Sequence, residues 1–269
     1  MKINFANTPF RDGAVGAIPN RLNWRTEILL ARNVDAIAGM RVLDIASADG
    51  RFSFACYQLG AAHVTGVEGR ADQVQQGREW LLELKCDPAK LSLKTSDIFD
   101  YLPTCLPGQF DTILCFGFFY HTMRQMELLQ QIARLRPKSI IIDTTVMPER
   151  RWLKFLKFMW RLRKNLNPTH WPALWDSIEG DEIMYFKTEH ADHASGSIVS
   201  NFYPRADWER GHLIAANFKP TESMVERLLD VHQIQWEQID WFAQGIDNWD
   251  GLYDYSKRLR VSYIAKLPD

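Results

Sequence analysis

Short apolar runs alternate with stretches of helical periodicity from residue 41 onward. Helices are predicted at 52–59, 71–84 and 123–135, where apolar residues recur at helical spacing. Strands that alternate with helices are typical of a parallel sheet with helices on both faces. The strands predicted by the apolar runs are 42–45, 63–67, 91–94, 110–116 and 139–144.

The alternation lapses after residue 147 and returns at residue 218. Beyond that point, Ser223 and Glu226 are spaced as a capping box for a helix that runs to Asp230. Two further runs, at 234–241 and 258–266, alternate polar and apolar residues as closing strands do. We therefore expect an N-terminal cap segment and a sheet core that is interrupted by an insertion, which would be a substrate cap or an oligomer contact. The predicted segments are 1–40, 41–147, 148–217 and 218–269.

The composition is that of a globular protein, since 46% of the 269 residues are hydrophobic, 24% are charged and the formal net charge is −1. With this balance of charges, the chain lacks the net positive charge that is expected of a protein that binds nucleic acid over much of its surface. The chain starts without an apolar leader, and its longest apolar run is far shorter than the roughly 20 residues of a membrane span. We expect a cytoplasmic protein with no transmembrane segment.

The turn between the first predicted strand and its helix, from Asp44 to Gly50, consists of small residues and acids. Such a turn lets a ligand approach the backbone at the carboxyl end of a strand, where open α/β sheets bind ligands. Glu68 ends the second strand, where a carboxylate can accept both hydroxyls of a ribose. Asp97 follows the third strand beside Ile98 and can accept from an exocyclic amine. Three acids at successive strand ends favour a cofactor with hydroxyls and an amine over a bare phosphate.

These motifs resemble those of the class I S-adenosylmethionine-dependent methyltransferases over roughly residues 20–145 and 218–266. Residues 43–50 are similar to the first-strand motif of that family, with Ala46 and Ala48 in place of customary glycines, and residues 110–117 to its fourth-strand motif. The first turn looks closest to small-molecule methyltransferases and tRNA wobble-uridine carboxymethyl-transfer proteins. The resemblance implies a Rossmann-like α/β fold: a seven-stranded, mostly parallel sheet with an antiparallel last strand, helices on both faces and a helical, aromatic insertion after the fifth strand.

The resemblance also implies the cofactor, S-adenosylmethionine, and its product, S-adenosylhomocysteine. A Trp/Arg-bearing helix before the first strand would help to close over the cofactor. The first turn would line the methionine moiety, the acid ending the second strand would hold the ribose, and the pair after the third strand would hold the adenine. The cofactor-binding residues implied in this way are Trp24, Arg25, Asp44, Ala46, Ser47, Asp49, Gly50, Glu68, Gly69, Asp97, Ile98, Phe116 and Gly117.

Methyl transfer from a sulfonium mainly requires that the nucleophile be aligned and its proton removed. His121 follows the fourth strand, near the place of the methyl group, and histidine changes protonation near neutral pH. We expect His121 to be the general base and Tyr120 to orient the acceptor. Asp143, at the end of the fifth strand, is the second catalytic candidate. The alternative is an inert His121 that caps or stacks at the start of the next helix.

The predicted insertion holds five of the ten tryptophans, which offer rigid aromatic surface for a pocket wall or a partner contact. Its first part, 150–164, has seven basic residues and no acid, interleaved with aromatic residues at helical spacing. We favour a lid over the substrate cleft, with a membrane-surface helix or an RNA contact as alternatives. Farther along, the spacing of His190 and His193 is not specific for a metal, so we predict a solvated polar loop and no metal.

The sequence thus predicts an enzyme that moves the methyl group of S-adenosylmethionine to a nucleophilic oxygen, less readily a nitrogen, of a small organic acceptor. A tRNA-modifying methyl or carboxymethyl transferase is the first alternative, because of the basic and aromatic segment. An NAD-dependent oxidoreductase is disfavoured, since the first turn lacks G-x-G-x-x-G. A non-catalytic module that keeps the cofactor fold is a third alternative. Self-association through the insertion is a further open prediction.

Overall fold

The computed structural model describes residues 3–13, 17–147, 185–190 and 214–268, with the backbone alone at 185–190 and 214–218. Within this part of the chain, the strands form a seven-stranded sheet and a separate two-stranded sheet. The strands are β1 (Arg41–Ile45), β2 (His63–Glu68), β3 (Leu91–Thr95), β4 (Thr112–Phe116), β5 (Ser139–Thr145), β6 (Tyr185–His190), β7 (Ile214–Lys219), β8 (Gln235–Gln238) and β9 (Arg260–Lys266).

The seven-stranded sheet has the order β3-β2-β1-β4-β5-β9-β8. Strands β1 to β5 are parallel, and β9 lies between β5 and β8, antiparallel to both. The carboxyl ends of the parallel strands and the amino end of β9 therefore share one edge, where Asp143 lies opposite Ser262 and Thr145 opposite Arg260. Open α/β sheets bind ligands at this edge, beside the point where the strand order reverses, here between β1 and β4. The predicted fold class is confirmed.

The helices predicted at 52–59, 71–84 and 123–135 are observed at Arg51–Gln58, Ala71–Glu83 and Gln125–Leu135, so their bounds agree within about two residues. The last long helix is an exception at its first turn. Its N-cap is Thr221, whose side chain accepts from the Met224 N–H, so the predicted capping box of Ser223 and Glu226 is wrong. The helices are α1 (Pro19–Leu29), α2 (Arg51–Gln58), α3 (Ala71–Glu83), α4 (Ile98–Tyr101), α5 (Gln125–Leu135), α6 (Glu222–Val231) and α7 (Tyr253–Ser256).

Both faces of the sheet are buried, which explains why its parallel strands are almost continuously apolar. On one face, α5 and α6 contribute Leu128, Ile132 and Leu229 to a core cluster with the sheet. On the other face, the N-terminal segment and α1 contribute Phe10 and Leu22 to a second cluster, which also includes residues of α2 and α3. The sequence before β1 is thus an integral layer of the fold.

Strands β6 and β7 pair antiparallel with each other and fall almost wholly within the predicted insertion, 148–217. The basic and aromatic segment 150–164 and His193 lie outside the described residues. His190 is the last residue of β6, so a strand replaces part of the expected polar loop. Among the described residues, no helix has the length and apolar character needed to cross a membrane.

Two glycines let the turn after β1 pack tightly against its neighbours. A Cβ atom on Gly77 of α3 would lie 2.3 Å from the carbonyl oxygen of Asp49. A Cβ atom on Gly66 of β2 would lie 2.8 Å from the Ser47 hydroxyl oxygen. Neither distance is tolerable between non-bonded atoms, so the position of this turn depends on the absence of both side chains.

We expect Gly77→Ala to destabilise the protein by about 1–3 kcal/mol, because the new methyl group meets fixed backbone. In an unconstrained helix the same change would stabilise by about 1 kcal/mol, so the sign of the effect identifies the clash. The measurement is the free energy of unfolding in urea, with Gln76→Ala, on the exposed face of the same helix, as the control. A Gly77→Ala protein as stable as the wild type would refute this account of the turn.

Candidate cofactor and active site

In the turn between β1 and α2, every second residue has a left-handed backbone conformation. Ala46, Ala48 and Gly50 have φ values of 53°, 51° and 79°. A left-handed alanine costs roughly 1–2 kcal/mol, so other contacts must hold the turn. The N–H of Ser47 donates to the backbone of β2 at 3.0 Å, and the N–H of Ala48 donates to the Glu68 carboxylate at 3.0 Å. The result is a backbone cradle at the carboxyl end of β1.

Glu68 is buried at the end of β2 and already has several hydrogen-bond partners. Besides the Ala48 N–H, it accepts from the backbone N–H and the Nε of Arg70 at 3.1 and 3.0 Å. A carboxylate offers about four acceptor positions, so these three bonds leave about one. Two ribose hydroxyls would therefore need the partly exposed Arg70 side chain to release Glu68.

Ser47 and Asp49 contribute their side chains to the turn itself. The Ser47 hydroxyl faces Gly66 and is buried without a hydrogen-bond partner. The Asp49 carboxylate is buried and binds Arg51 through two contacts of 2.7 and 2.5 Å. The family resemblance implies that these two residues contact the cofactor. Because both side chains face the protein, their backbone atoms are the groups left to make those contacts.

Asp44 lies in β1 beneath the cradle, and the hydroxyl of Ser53 donates to it at 2.6 Å. Burial raises the pKa of Asp44 to about 7, the hydrogen bonds from Ser53 oppose this rise, Glu68 adds to it, and Arg25 opposes it. The buried position of Asp44 therefore disfavours its negative charge.

The turn after β3 carries the pair predicted for the adenine. Asp97 caps α4 by accepting from the N–H of Phe99 at 2.8 Å, and the Ile98 side chain is buried. The N–H of Ser96 donates to the Glu68 carbonyl at 3.0 Å, which joins the carboxyl ends of β2 and β3. Gly69, directly after β2, is half-buried at the same edge.

A left-handed glycine and a single 3₁₀ turn follow β4. Gly117 has a φ of 80°, and its N–H donates to the Asp143 carbonyl at 2.8 Å. The buried side chain of Gln125 fixes the turn Phe119–His121 by donating to the Phe119 carbonyl at 3.1 Å. Tyr120 and His121, both half-buried, have ring centroids 4.0 Å apart. The two predicted catalytic side chains thus lie together on an anchored turn.

Asp143 at the end of β5 is completely buried and is the centre of an ion cluster. It receives contacts from Arg25 at 2.5 Å and Arg260 at 3.0 Å. The hydroxyls of Ser262 and Tyr255 also donate to it, at 2.7 and 3.0 Å. Burial alone would raise the pKa of Asp143, but the two guanidinium groups and the Ser262 hydroxyl outweigh burial and lower it.

The prediction that Asp143 is a second catalytic candidate is not supported by this placement. Its carboxylate has no exposed surface, and four groups occupy it, so it cannot reach an acceptor. Asp143 instead joins α1, β5, α7 and β9 at the edge of the sheet.

The cluster continues to a second carboxylate, Asp254. Arg21 binds both of its oxygens at 2.6 and 2.8 Å, and the Nε of Arg260 binds it at 2.6 Å. Three guanidinium groups therefore share two carboxylates, which leaves one excess positive charge in a largely buried cluster.

Arg25 is the member of this cluster that lies nearest the predicted cofactor residues. Its guanidinium carbon lies 4.6 Å from the centre of the Phe52 ring and 5.8 Å from that of Phe116. Its Nε is buried and has no hydrogen-bond partner. Trp24, beside it on α1, is half-buried against the core cluster of that face. A buried donor without a partner, in a cluster with excess positive charge, is suited to bind an anionic group.

The sequence analysis places Arg25 and Asp143 at the site but misses the other members of the cluster. Two signals were present, since Arg21 lies one helical turn before Arg25, and Arg260 and Ser262 alternate on one face of an otherwise apolar strand. Neither signal identifies the acid that each residue meets, because Asp143 lies more than a hundred positions away from both Arg25 and Arg260.

A protein family described as a methyltransferase domain matches residues 37–183, which is more than half of the chain. The chain belongs to this family. It is a class I S-adenosylmethionine-dependent methyltransferase domain. The predictions of family, enzyme class and S-adenosylmethionine as cofactor are confirmed.

Curated relatives of this methyltransferase domain include two tRNA U34 carboxymethyltransferases. The protein of Idiomarina loihiensis is 22% identical over 219 residues, which cover 76% of this chain and 62% of the relative. The protein of Syntrophotalea carbinolica is 29% identical over 151 residues, or 52% of this chain and 44% of the relative. The chain thus spans less than two thirds of the length of these relatives.

Solved structures give the same fold at low sequence identity. The N-terminal domain of EvdMO1, solved with SAH bound, has a TM-score of 0.54 at 13% identity and covers 88% of this chain and 79% of its own. The PH0226 protein of Pyrococcus horikoshii OT3 has a TM-score of 0.51 at 13% identity, covering 91% of this chain and 90% of its own. At such identities the likeness shows the fold.

We expect Asp143→Asn to lower the free energy of unfolding by roughly 3–5 kcal/mol, because it leaves buried guanidinium groups without their counter-charge. Asp111→Asn is a matched control, since Asp111 also pairs with two cations, Arg41 and Lys138, but their side chains are 47% and 71% exposed. We expect the control to lose about 1 kcal/mol. Equal losses in the two variants, measured by urea unfolding, would contradict the central role of Asp143.

Proposed function

We propose that this methyltransferase domain transfers the methyl group of S-adenosylmethionine to a nucleophilic oxygen, less readily a nitrogen, of a small organic acceptor. The observation that carries the proposal is the unpartnered, buried Nε of Arg25 at the ligand-binding edge of the sheet, in a cluster with one excess positive charge. An acidic group of a ligand would balance this charge, and the cofactor has one in its α-carboxylate.

The residues at this edge fit the cofactor. The cradle formed by Ala46 and Ala48 presents backbone rather than side chains, as a close approach requires. Arg25 would bind the α-carboxylate, and Glu68 would take the ribose hydroxyls once Arg70 releases it. Asp97 and its neighbour Ile98 would hold the adenine. When bound, the cofactor supplies an electrophilic methyl group on a good leaving group.

His121 would accept the proton of the acceptor hydroxyl as the oxygen attacks, and Tyr120 would orient that hydroxyl. The turn that carries them is fixed by Gln125 and by buried phenylalanines, so both rings are held in place for this task. Asp143 would act as a positioning residue, because it holds Arg25 on one side and Arg260, near Tyr120, on the other.

The domain organisation belongs to the same proposal. Residues 1–40 would cap the cofactor edge, 41–147 and 218–269 would form the core, and 148–217 would cover the acceptor or join two copies of the chain. The small-molecule acceptor and the cytoplasmic location stay proposals, as does self-association.

Carboxymethyl transfer to tRNA is a second candidate function, suggested by the names of the curated relatives. A carboxymethyl group would bring a further carboxylate, and the Arg260 guanidinium carbon lies 5.7 Å from the centre of the Tyr120 ring on the active-site turn. Salt-dependent binding of tRNA would favour this candidate, and its absence at low salt would exclude it.

Calorimetric titration with S-adenosylmethionine and S-adenosylhomocysteine tests the cofactor site. We expect Arg25→Lys to weaken binding of both by about 10- to 100-fold, because a charge-assisted hydrogen bond contributes roughly 1.5–3 kcal/mol. Arg21→Lys is the matched control, since Arg21 lies on the same helix and binds the far carboxylate of the cluster. Thermal unfolding verifies that both variants fold. Equal affinity in the two variants would remove Arg25 from the site, and no binding by the wild type would refute the proposed function.

We expect His121→Asn to lower the rate of methyl transfer by about 10²–10⁴-fold with unchanged binding of S-adenosylhomocysteine, because only the proton acceptor is lost. The measurement is S-adenosylhomocysteine formed with an acceptor that the wild type uses, chosen from a panel of phenols, hydroxy acids and sugars. His63→Asn, at the amino end of β2, is the control, and a His121→Asn rate equal to it would disprove the assignment.

A further inference from the structure

A cavity of about 240 Å³ lies beside the ion cluster, between the end of β8, α7 and the start of β9. It is distinct from the cradle after β1, and none of the residues assigned above to the cofactor lines it. At roughly 30 Å³ per water molecule, its volume corresponds to about eight waters. The cavity can therefore take a single-ring molecule.

The floor of the cavity is aromatic and fixed. Trp241 and Tyr255 are buried and stack with ring centroids 3.7 Å apart. The indole N–H of Trp241 donates to the Ser262 hydroxyl at 3.0 Å. The buried guanidinium of Arg260 forms another part of the wall, where Asp143 and Asp254 compensate its charge. A ligand thus meets a preformed surface and need not order it.

The rim combines an exposed ring with polar groups of both signs. Phe242 is 51% exposed, and the Arg258 guanidinium carbon lies 5.3 Å from the centre of its ring. Arg258 forms no ion pair with any residue in the described part of the chain. Gln238 donates to Glu222, and the Asp240 carboxylate accepts from the backbone N–H of Phe242.

The lining carries charges of both signs, from two arginines and from the acids Glu222 and Asp240. It offers donors from Arg258 and Gln238 and acceptors from the two carboxylates. An anionic ligand would meet both acids, and a cationic ligand would meet Arg258. A neutral molecule with several hydroxyls can use donors and acceptors together, and its less polar face can cover the aromatic ring of Phe242.

We propose that this cavity binds a neutral, polyhydroxylated single ring such as a monosaccharide. Arg260 joins the cavity to the active-site turn, since its guanidinium lines the cavity and lies 5.7 Å from the centre of the Tyr120 ring.

The test is a ligand-observed NMR titration of the full chain with the methyl glycosides of glucose, galactose, mannose, rhamnose and ribose, with and without S-adenosylhomocysteine. We expect saturable binding of at least one glycoside and a loss of about tenfold in Phe242→Ala, because the ring supplies the apolar contact. Tyr253→Ala is the matched control. Its side chain is 66% exposed, and the Lys257 Nζ lies 5.7 Å from the centre of its ring, as a cation also lies near the ring of Phe242. Tyr253 does not line the cavity.

Glycoside binding that is lost in Phe242→Ala and kept in Tyr253→Ala supports the proposal. No saturable binding of any glycoside overturns it, as does equal binding by both variants. Tighter binding of benzoate or benzylammonium overturns the neutral class of ligand. Titration with S-adenosylhomocysteine in the same samples separates the two proposals. A chain that binds this nucleoside but no glycoside refutes the cavity proposal alone, and the reverse result refutes the proposed methyltransferase function alone.

Discussion

Two guanidinium groups, a phenol and a serine hydroxyl converge on the buried carboxylate of Asp143. These groups come from α1, β9 and α7, which are far apart in the sequence. A buried ion pair adds little net stability over an apolar replacement, but the loss of one partner is costly. The carboxylate therefore acts mainly as a constraint, because the chain can satisfy it only when the N-terminal helix and the C-terminal strand both dock on the end of β5.

The cradle after β1 depends on a balance between backbone strain and the contacts that hold the turn. Two alanines adopt left-handed backbone there, where glycine would cost less. The turn keeps this conformation because Glu68 and the backbone of β2 hold its N–H groups and because Gly66 and Gly77 leave room beneath it. Strain at a turn that approaches a ligand persists only where the surroundings determine the backbone in this way.

The sequence was sufficient to locate the parallel strands and the helices between them, because period and turn residues are local signals. It was also sufficient to bring Asp44, Glu68 and Asp97 to one edge, since carboxyl ends of parallel strands meet there. It could not show that Asp143 is buried among arginines. That fact depends on which charges meet after folding, and no local pattern records it. The prediction of the capping residue of α6 was wrong for a local reason. Thr221 and Ser223 lie two positions apart, and either residue type can start a helix.

Under the two proposals, the ion cluster would let one edge of the sheet serve two ligands of different charge. At one end, Arg25 keeps an unpartnered donor, so this end is suited to an anionic group. At the other end, Arg260 meets both Asp143 and Asp254, so the wall that it presents to the cavity has its charge compensated. The excess charge therefore remains on the cofactor side. Because low dielectric strengthens such differences, a cluster of five residues would hold the α-carboxylate of the cofactor on one side of Asp143 and leave the other side to the proposed neutral ligand.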